Sequence, residues 1–125
     1  EQQVYNFMNE LHTSAYPFRT IISGSGGAIL ESTQVLGSVI KVSESAKSGD
    51  LFLTMASDDQ SFEFHIKIRL VHKINLVERE LPGKTLRIIR LTNHDEESMC
   101  SLILADYSEE AGTWFQALLG KHGEE

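Results

Sequence analysis

The segment Phe62-Glu63-Phe64-His65-Ile66-Lys67-Ile68-Arg69-Leu70 concentrates residue types that could do chemistry in a strictly alternating order. Successive residues of an extended strand point to opposite faces, so Phe62, Phe64, Ile66, Ile68 and Leu70 make one apolar face. Glu63, His65, Lys67 and Arg69 share the other. His65, Lys67 and Arg69 are then expected in line, roughly 6.6 Å apart along the strand. An imidazole nitrogen is a metal ligand, and Lys or Arg neutralises carboxylates. The pattern therefore suits a ligand with an iron centre and peripheral carboxylates, such as haem. Periodicity alone is met more often by a strand face turned to water, with His65 partly exposed.

Other reactive types are less well placed. His72 lies seven residues beyond His65 on the next expected strand, and a break near Leu70–Val71 would decide which face it joins. It is a secondary ligand candidate. Met55 sits in an apolar run, where a thioether is core material more often than a weak ligand. Cys100 lies inside Met99–Ala105 with no base near it in sequence and reads as a small buried hydrophobe. Asp95-Glu96-Glu97 matches no metal loop, and His12, His94 and His122 fall near element ends without metal spacing. The run Ser23-Gly24-Ser25-Gly26-Gly27 is glycine-rich but lacks the Lys-Ser/Thr of a phosphate loop. No nucleophile, base and orienting group can be assigned together, and no carboxylate pair, which argues against a hydrolase.

The elements that must position these residues follow from periodicity. Val4, Phe7, Met8 and Leu11 recur at helical spacing, predicting a helix near 2–13 that Tyr16-Pro17 ends. The glycine run is a turn or bulge between the apolar pieces Phe18–Ile22 and Ala28–Leu30. β-prone runs at Val35–Val42, Leu51–Ala56, Phe62–Leu70, Val71–Glu80, Thr85–Thr92 and Met99–Ala105 are separated by turn-forming clusters such as Lys47-Ser48-Gly49-Asp50 and Pro82-Gly83. The connections leave no space for crossover helices, so the sheet is expected to be antiparallel, largely a meander. Ser108 as N-cap, Glu109 and Glu110 in the first turn, and the stripe Trp114, Phe115, Leu118 and Leu119 predict a last helix, with Gly120 to Gly123 as its stop. The expected class is α+β: an antiparallel sheet with N- and C-terminal helices packed on it.

Composition narrows the context. The chain has 125 residues, 41% hydrophobic and 23% charged, which fits one domain over 1–125. A net charge of −7 argues against nucleic-acid binding. Seven of the 11 basic residues nevertheless lie between 65 and 90, opposed only by Glu78 and Glu80. A basic segment within an acidic chain suits a small anionic ligand. One cysteine suggests a reducing compartment, with the cytoplasm as the expected location. Neither a bilayer-length apolar stretch nor a signal-peptide order at Glu1-Gln2-Gln3 is present, so no membrane role is expected.

From about Ile22 to His122 the order of elements resembles the HutX/ChuX family of cytosolic haem-utilisation carriers, related in fold to the HemS/ChuS proteins. The likeness is clearest in Phe64-His65-Ile66-Lys67 followed by His72-Lys73-Ile74-Asn75-Leu76-Val77-Glu78-Arg79. These resemble the family's Gly-His-Ile-Lys segment and its Ile-Ala-Leu-Ile-Glu-Arg strand. The resemblance implies a HemS/ChuX-like fold, a homodimer, and a non-enzymatic haem carrier in iron utilisation. His65 falls on a family histidine implicated in haem binding, with Lys67 and Arg69 expected near the propionates. Where family members carry aromatic-Asn-Leu-Arg, this chain has Phe52-Leu53-Thr54-Met55 and so lacks that arginine. Ser23 and Gly24 stand where some relatives place another histidine. The alternatives are a haem-degrading enzyme of the related fold, which needs an open iron position and an electron donor, and a dimer that no longer binds haem.

Overall fold

Two antiparallel sheets, rather than one, organise the chain. The computed structural model describes residues 2–24 and 26–122. In chain order the elements are α1 (Gln2–Ser14), β1 (Pro17–Ser23), β2 (Ile29–Val35), β3 (Val39–Glu44), β4 (Leu51–Ala56) and β5 (Glu63–Lys67). A 3₁₀ turn (Ile68–Leu70) leads to β6 (Lys73–Leu81), β7 (Lys84–Thr92), β8 (Ser98–Leu104) and α2 (Glu109–His122). The larger sheet runs β2-β1-β8-β7-β6 and the smaller β3-β4-β5, with every recorded pairing antiparallel. The α+β class, the antiparallel strands and the terminal helices are as the sequence predicts.

Both helices form where amphipathic spacing places them. In α1, Phe7, Met8 and Leu11 are buried, and the helix ends as Ala15 takes a φ of 62° just before Pro17. In α2, the Ser108 hydroxyl accepts the Ala111 N–H at 3.1 Å, which satisfies one of the amides a helix start leaves unpaired. Phe115 and Leu118 are buried, with Trp114 and Leu119 packed against the same core. Gly120 does not stop this helix, which continues to His122; Gly123 lies outside the described residues. The last turn is held by α1: Glu10 accepts from His122 Nε2 at 2.9 Å and from Lys121 Nζ at 3.3 Å, and the His122 ring meets Phe7 edge-on at 5.1 Å.

The core is shared by both sheets and both helices. The inner face of the smaller sheet supplies Leu53, Met55, Phe64 and Ile66, and the larger sheet supplies Phe18, Ile89, Leu91, Cys100, Leu102 and Leu104. Met55 is fully buried there, as the core reading expects. Burial pushes the Cys100 thiol up to about 12, so it is no nucleophile at neutral pH.

Two expected strands are broken. Val35–Val42 is not one strand, because Leu36-Gly37-Ser38 carries the chain from one sheet to the other. Leu36 is buried at the crossing and the Ser38 N–H donates to Ala56 O at 3.0 Å. Gly37 has a φ of +75°, and a Cβ there would strike the Ala56 backbone, so only glycine fits. Phe62–Leu70 likewise pairs only from Glu63 to Lys67. The chain must then turn toward β6 in the other sheet, and it does so through the 3₁₀ turn. Ile68 stays in the core while Leu70 is 47% exposed, so the apolar face ends one step early.

Candidate ligand-binding site

The outer face of the smaller sheet is a grid fixed by register. Thr54 pairs with His65 and with Lys41, Phe52 with Lys67 and with Ser43, and Ala56 with Glu63 and with Val39. Alternation sends all nine side chains to the same side, opposite Met55 and Ile66. The first residues of the grid and the β4–β5 turn line a shallow cleft of about 400 Å³ that includes Lys41, Phe52, Thr54, Asp58, Glu63 and His65.

His65 stands at the edge of this cleft with its ring fixed from two sides. Nδ1 is 2.8 Å from the Thr54 hydroxyl and Nε2 is 3.1 Å from Glu63 Oε1. Phe52 meets the ring edge-on at 6.5 Å. The Glu63 carboxylate can only accept, so Nε2–H donates to it and Nδ1 accepts from the Thr54 hydroxyl; the hydroxyl can equally accept from Nδ1–H, and that reversal would leave the Nε2 lone pair outward. Glu63 is the present occupant of that outward position.

Lys67 shares the His65 face, as expected. Its ammonium lies 3.4 Å from Asp50 Oδ2 and 6.0 Å from the Phe52 ring centre. Arg69 does not continue the line. It sits in the 3₁₀ turn, where strand alternation no longer applies. It remains close enough to act on the same carboxylate: the Ser48 hydroxyl, then Lys67 and Arg69, hold Asp50 below the usual carboxylate range. Across the turn from β4 to β5, Asp59 is lowered to about 2 by the Ser61 amide, with the Ser61 and Ser57 hydroxyls adding to it. That network stiffens the turn bordering the cleft.

His72 is not brought to this face. Its N–H donates to Thr92 O at 2.7 Å, beside the larger sheet, and its ring lies 4.7 Å from that of His94. It also lines a second, larger cleft of about 700 Å³, where the start of β6 meets the two helices and which Lys73, Lys121 and His122 share. Lys41, Phe52 and Thr54 were not singled out as site residues by the sequence. Alternation alone gives each strand two faces, and only the register of β3 on β4 and β4 on β5 shows that these residues surround His65.

No protein-family model and no curated protein sequence matches the chain. Solved structures do. One of the heme-binding protein ChuX matches with a TM-score of 0.72 at 17% identity, over 93% of this chain and 70% of that one. Apo-PhuS, a heme-binding protein from Pseudomonas aeruginosa, matches at 0.71 and 10% identity, over 99% of this chain and 34% of its own. The heme-degrading enzyme ChuS from Escherichia coli O157:H7 matches at 0.68 and 10%, over 99% and 40%. The chain therefore has the ChuX/HemS-like fold that its residues resemble.

Proposed function

We propose that this protein binds haem without degrading it, as a carrier or store in haem iron utilisation, on the outer face of the smaller sheet. The observation that carries the reading is His65, held through Nδ1 by Thr54 with Nε2 directed outward beside an aromatic ring and two lysines. Haem supplies an iron that accepts an imidazole nitrogen and propionates that cations neutralise. His65 Nε2 would be the axial ligand once Glu63 swings aside. Lys67 and Arg69 would meet propionates, with Lys41 added from the neighbouring strand. Phe52 would offer an apolar surface. The ChuX and PhuS structures of the same fold, both of heme-binding proteins, support the ligand class.

The larger cleft favours a second placement, with His72 as ligand and Lys73 and Lys121 as the cations. ChuS, an enzyme on this fold, is the reason to test for haem degradation as well. Further parts of the proposal are a homodimer, supported by the exposed apolar residues Ile29 and Leu30 on edge strand β2, and a reducing, cytoplasmic setting. No nucleic acid or membrane partner is proposed. Among the described residues no helix is long and apolar enough to cross a membrane.

Titrating purified protein with hemin tests the reading. A saturable Soret shift is expected, weakened strongly in His65→Ala and little changed in His72→Ala. The reverse ranking moves the site to the larger cleft, and no shift in wild type overturns haem binding. With reductant, oxygen and catalase present, biliverdin-like absorbance would replace the carrier with an enzyme.

A further inference from the structure

We propose that His72 and His94 form a chelating pair for a late first-row divalent cation such as Ni²⁺, Cu²⁺ or Zn²⁺, a site that does not depend on haem binding at His65. The two residues are 22 positions apart in sequence and adjacent in space, with ring centres 4.7 Å apart and ring planes inclined at 42°. Two imidazoles sharing a tetrahedral cation through metal–nitrogen bonds of about 2.0–2.1 Å have ring centres roughly 5 Å apart. The observed spacing is close to that, and the inclination departs from a flat stack.

Both rings stand on fixed backbone. The His72 N–H is tied to Thr92 O at 2.7 Å, so the chain entering β6 is clamped to the end of β7. His94 follows two residues later, in a turn organised by Asn93. The Asn93 side-chain oxygen accepts the Asp95 and Glu97 amides, each at 2.9 Å, its Nδ2 donates to Glu97 at 3.1 Å, and Glu96 takes a φ of 64°. The juxtaposition is therefore built by the backbone.

Exposed rings with unengaged nitrogens distinguish this pair from the other histidines, since His12 is only half-exposed and its unpartnered Nδ1 is buried. His65 and His122 each engage a carboxylate, whereas neither the His72 nor the His94 ring has a hydrogen-bond partner among the described residues. Both residues are exposed. Neutral imidazoles suit Ni²⁺, Cu²⁺ and Zn²⁺, while hard cations prefer oxygen. No cluster of three or more His, Cys, Asp and Glu occurs among the described residues. A bound cation would thus keep open positions for water or an external ligand.

Calorimetric titration of the whole protein with NiCl₂ tests the pair, with imidazole proton shifts as a site-specific readout. Wild type is expected to bind one Ni²⁺ saturably, with both His72 and His94 signals broadened. His72→Gln and His94→Gln should each weaken binding by no less than the roughly 10–100-fold that loss of an outer-shell partner costs. His65→Gln should bind as wild type does, and Mg²⁺ should not bind. Cu²⁺ should bind more tightly than Ni²⁺. Absence of Ni²⁺ binding in wild type, or retention of wild-type affinity by either histidine variant with an unchanged circular dichroism spectrum, overturns the pair.

Discussion

At His65 two neighbours act in opposite directions on one ring. Thr54 orients it and Glu63 occupies the nitrogen that a ligand would need. Thr54→Val keeps the volume and removes the hydroxyl, so hemin affinity should fall by about 10–100-fold, the usual cost of losing an outer-shell partner. Glu63→Ala removes a competing hydrogen bond worth about 0.5–1.5 kcal/mol, and affinity should rise by roughly 2–10-fold. Absorbance titrations of both variants check the pair of signs, and equal affinities throughout would remove His65 from the site. His65, Lys67 and the buried Met55 were legible from strand alternation alone. Arg69 was not, since alternation cannot tell where a strand stops pairing. Lys41, Phe52 and Thr54 were hidden for the related reason that their neighbours lie on other strands.

Among the elements, the crossing Leu36-Gly37-Ser38 matters most to the site, because it seats β3 against β4 and so carries Lys41 to its row. Gly37→Ala combines a left-handed backbone with a collision against the Ala56 backbone, which cannot move aside without breaking the Ser38 hydrogen bond. A loss of at least about 3 kcal/mol in chemical denaturation is expected, and a loss under about 1 kcal/mol would show that the crossing rearranges. Sequence read the tight turns well. Pro82-Gly83 presets one φ and supplies the +87° of Gly83, and β6 and β7 pair up to Leu81 and Lys84 around it. It read the crossing as strand interior because Val35, Leu36, Val39 and Ile40 are all β-prone. The division into two sheets is a tertiary event that local propensity does not encode.

For the molecule as a whole, the two termini are joined through Glu10. Burial raises its pKa, but the His122 and Lys121 hydrogen bonds and charges outweigh that, leaving the carboxyl below its ordinary value of 4.5. A depressed carboxylate pKa contributes stability that is fully present above the unfolded value and is lost as pH falls through the folded one. Thermal melts should therefore separate wild type from Glu10→Gln at pH 6 to 7, about two units above the ordinary Glu range, with the gap closing below 4.5. A gap independent of pH would assign the effect to packing. The open edge at β2, with Ile29 and Leu30 about two-thirds exposed, predicts association. Light scattering should give about twice 14.0 kDa, and the single-chain mass would rule the dimer out. The pairing of β1 with β8 has a different consequence. The central strand of the larger sheet, β8, is the last of its five in chain order, so β1 and β2 emerge from the ribosome without their inner neighbour. The sheet cannot close until Ser98–Leu104 has cleared the exit tunnel, and until then the inner edge of β1 has no strand to pair with, which makes closure a late, long-range step.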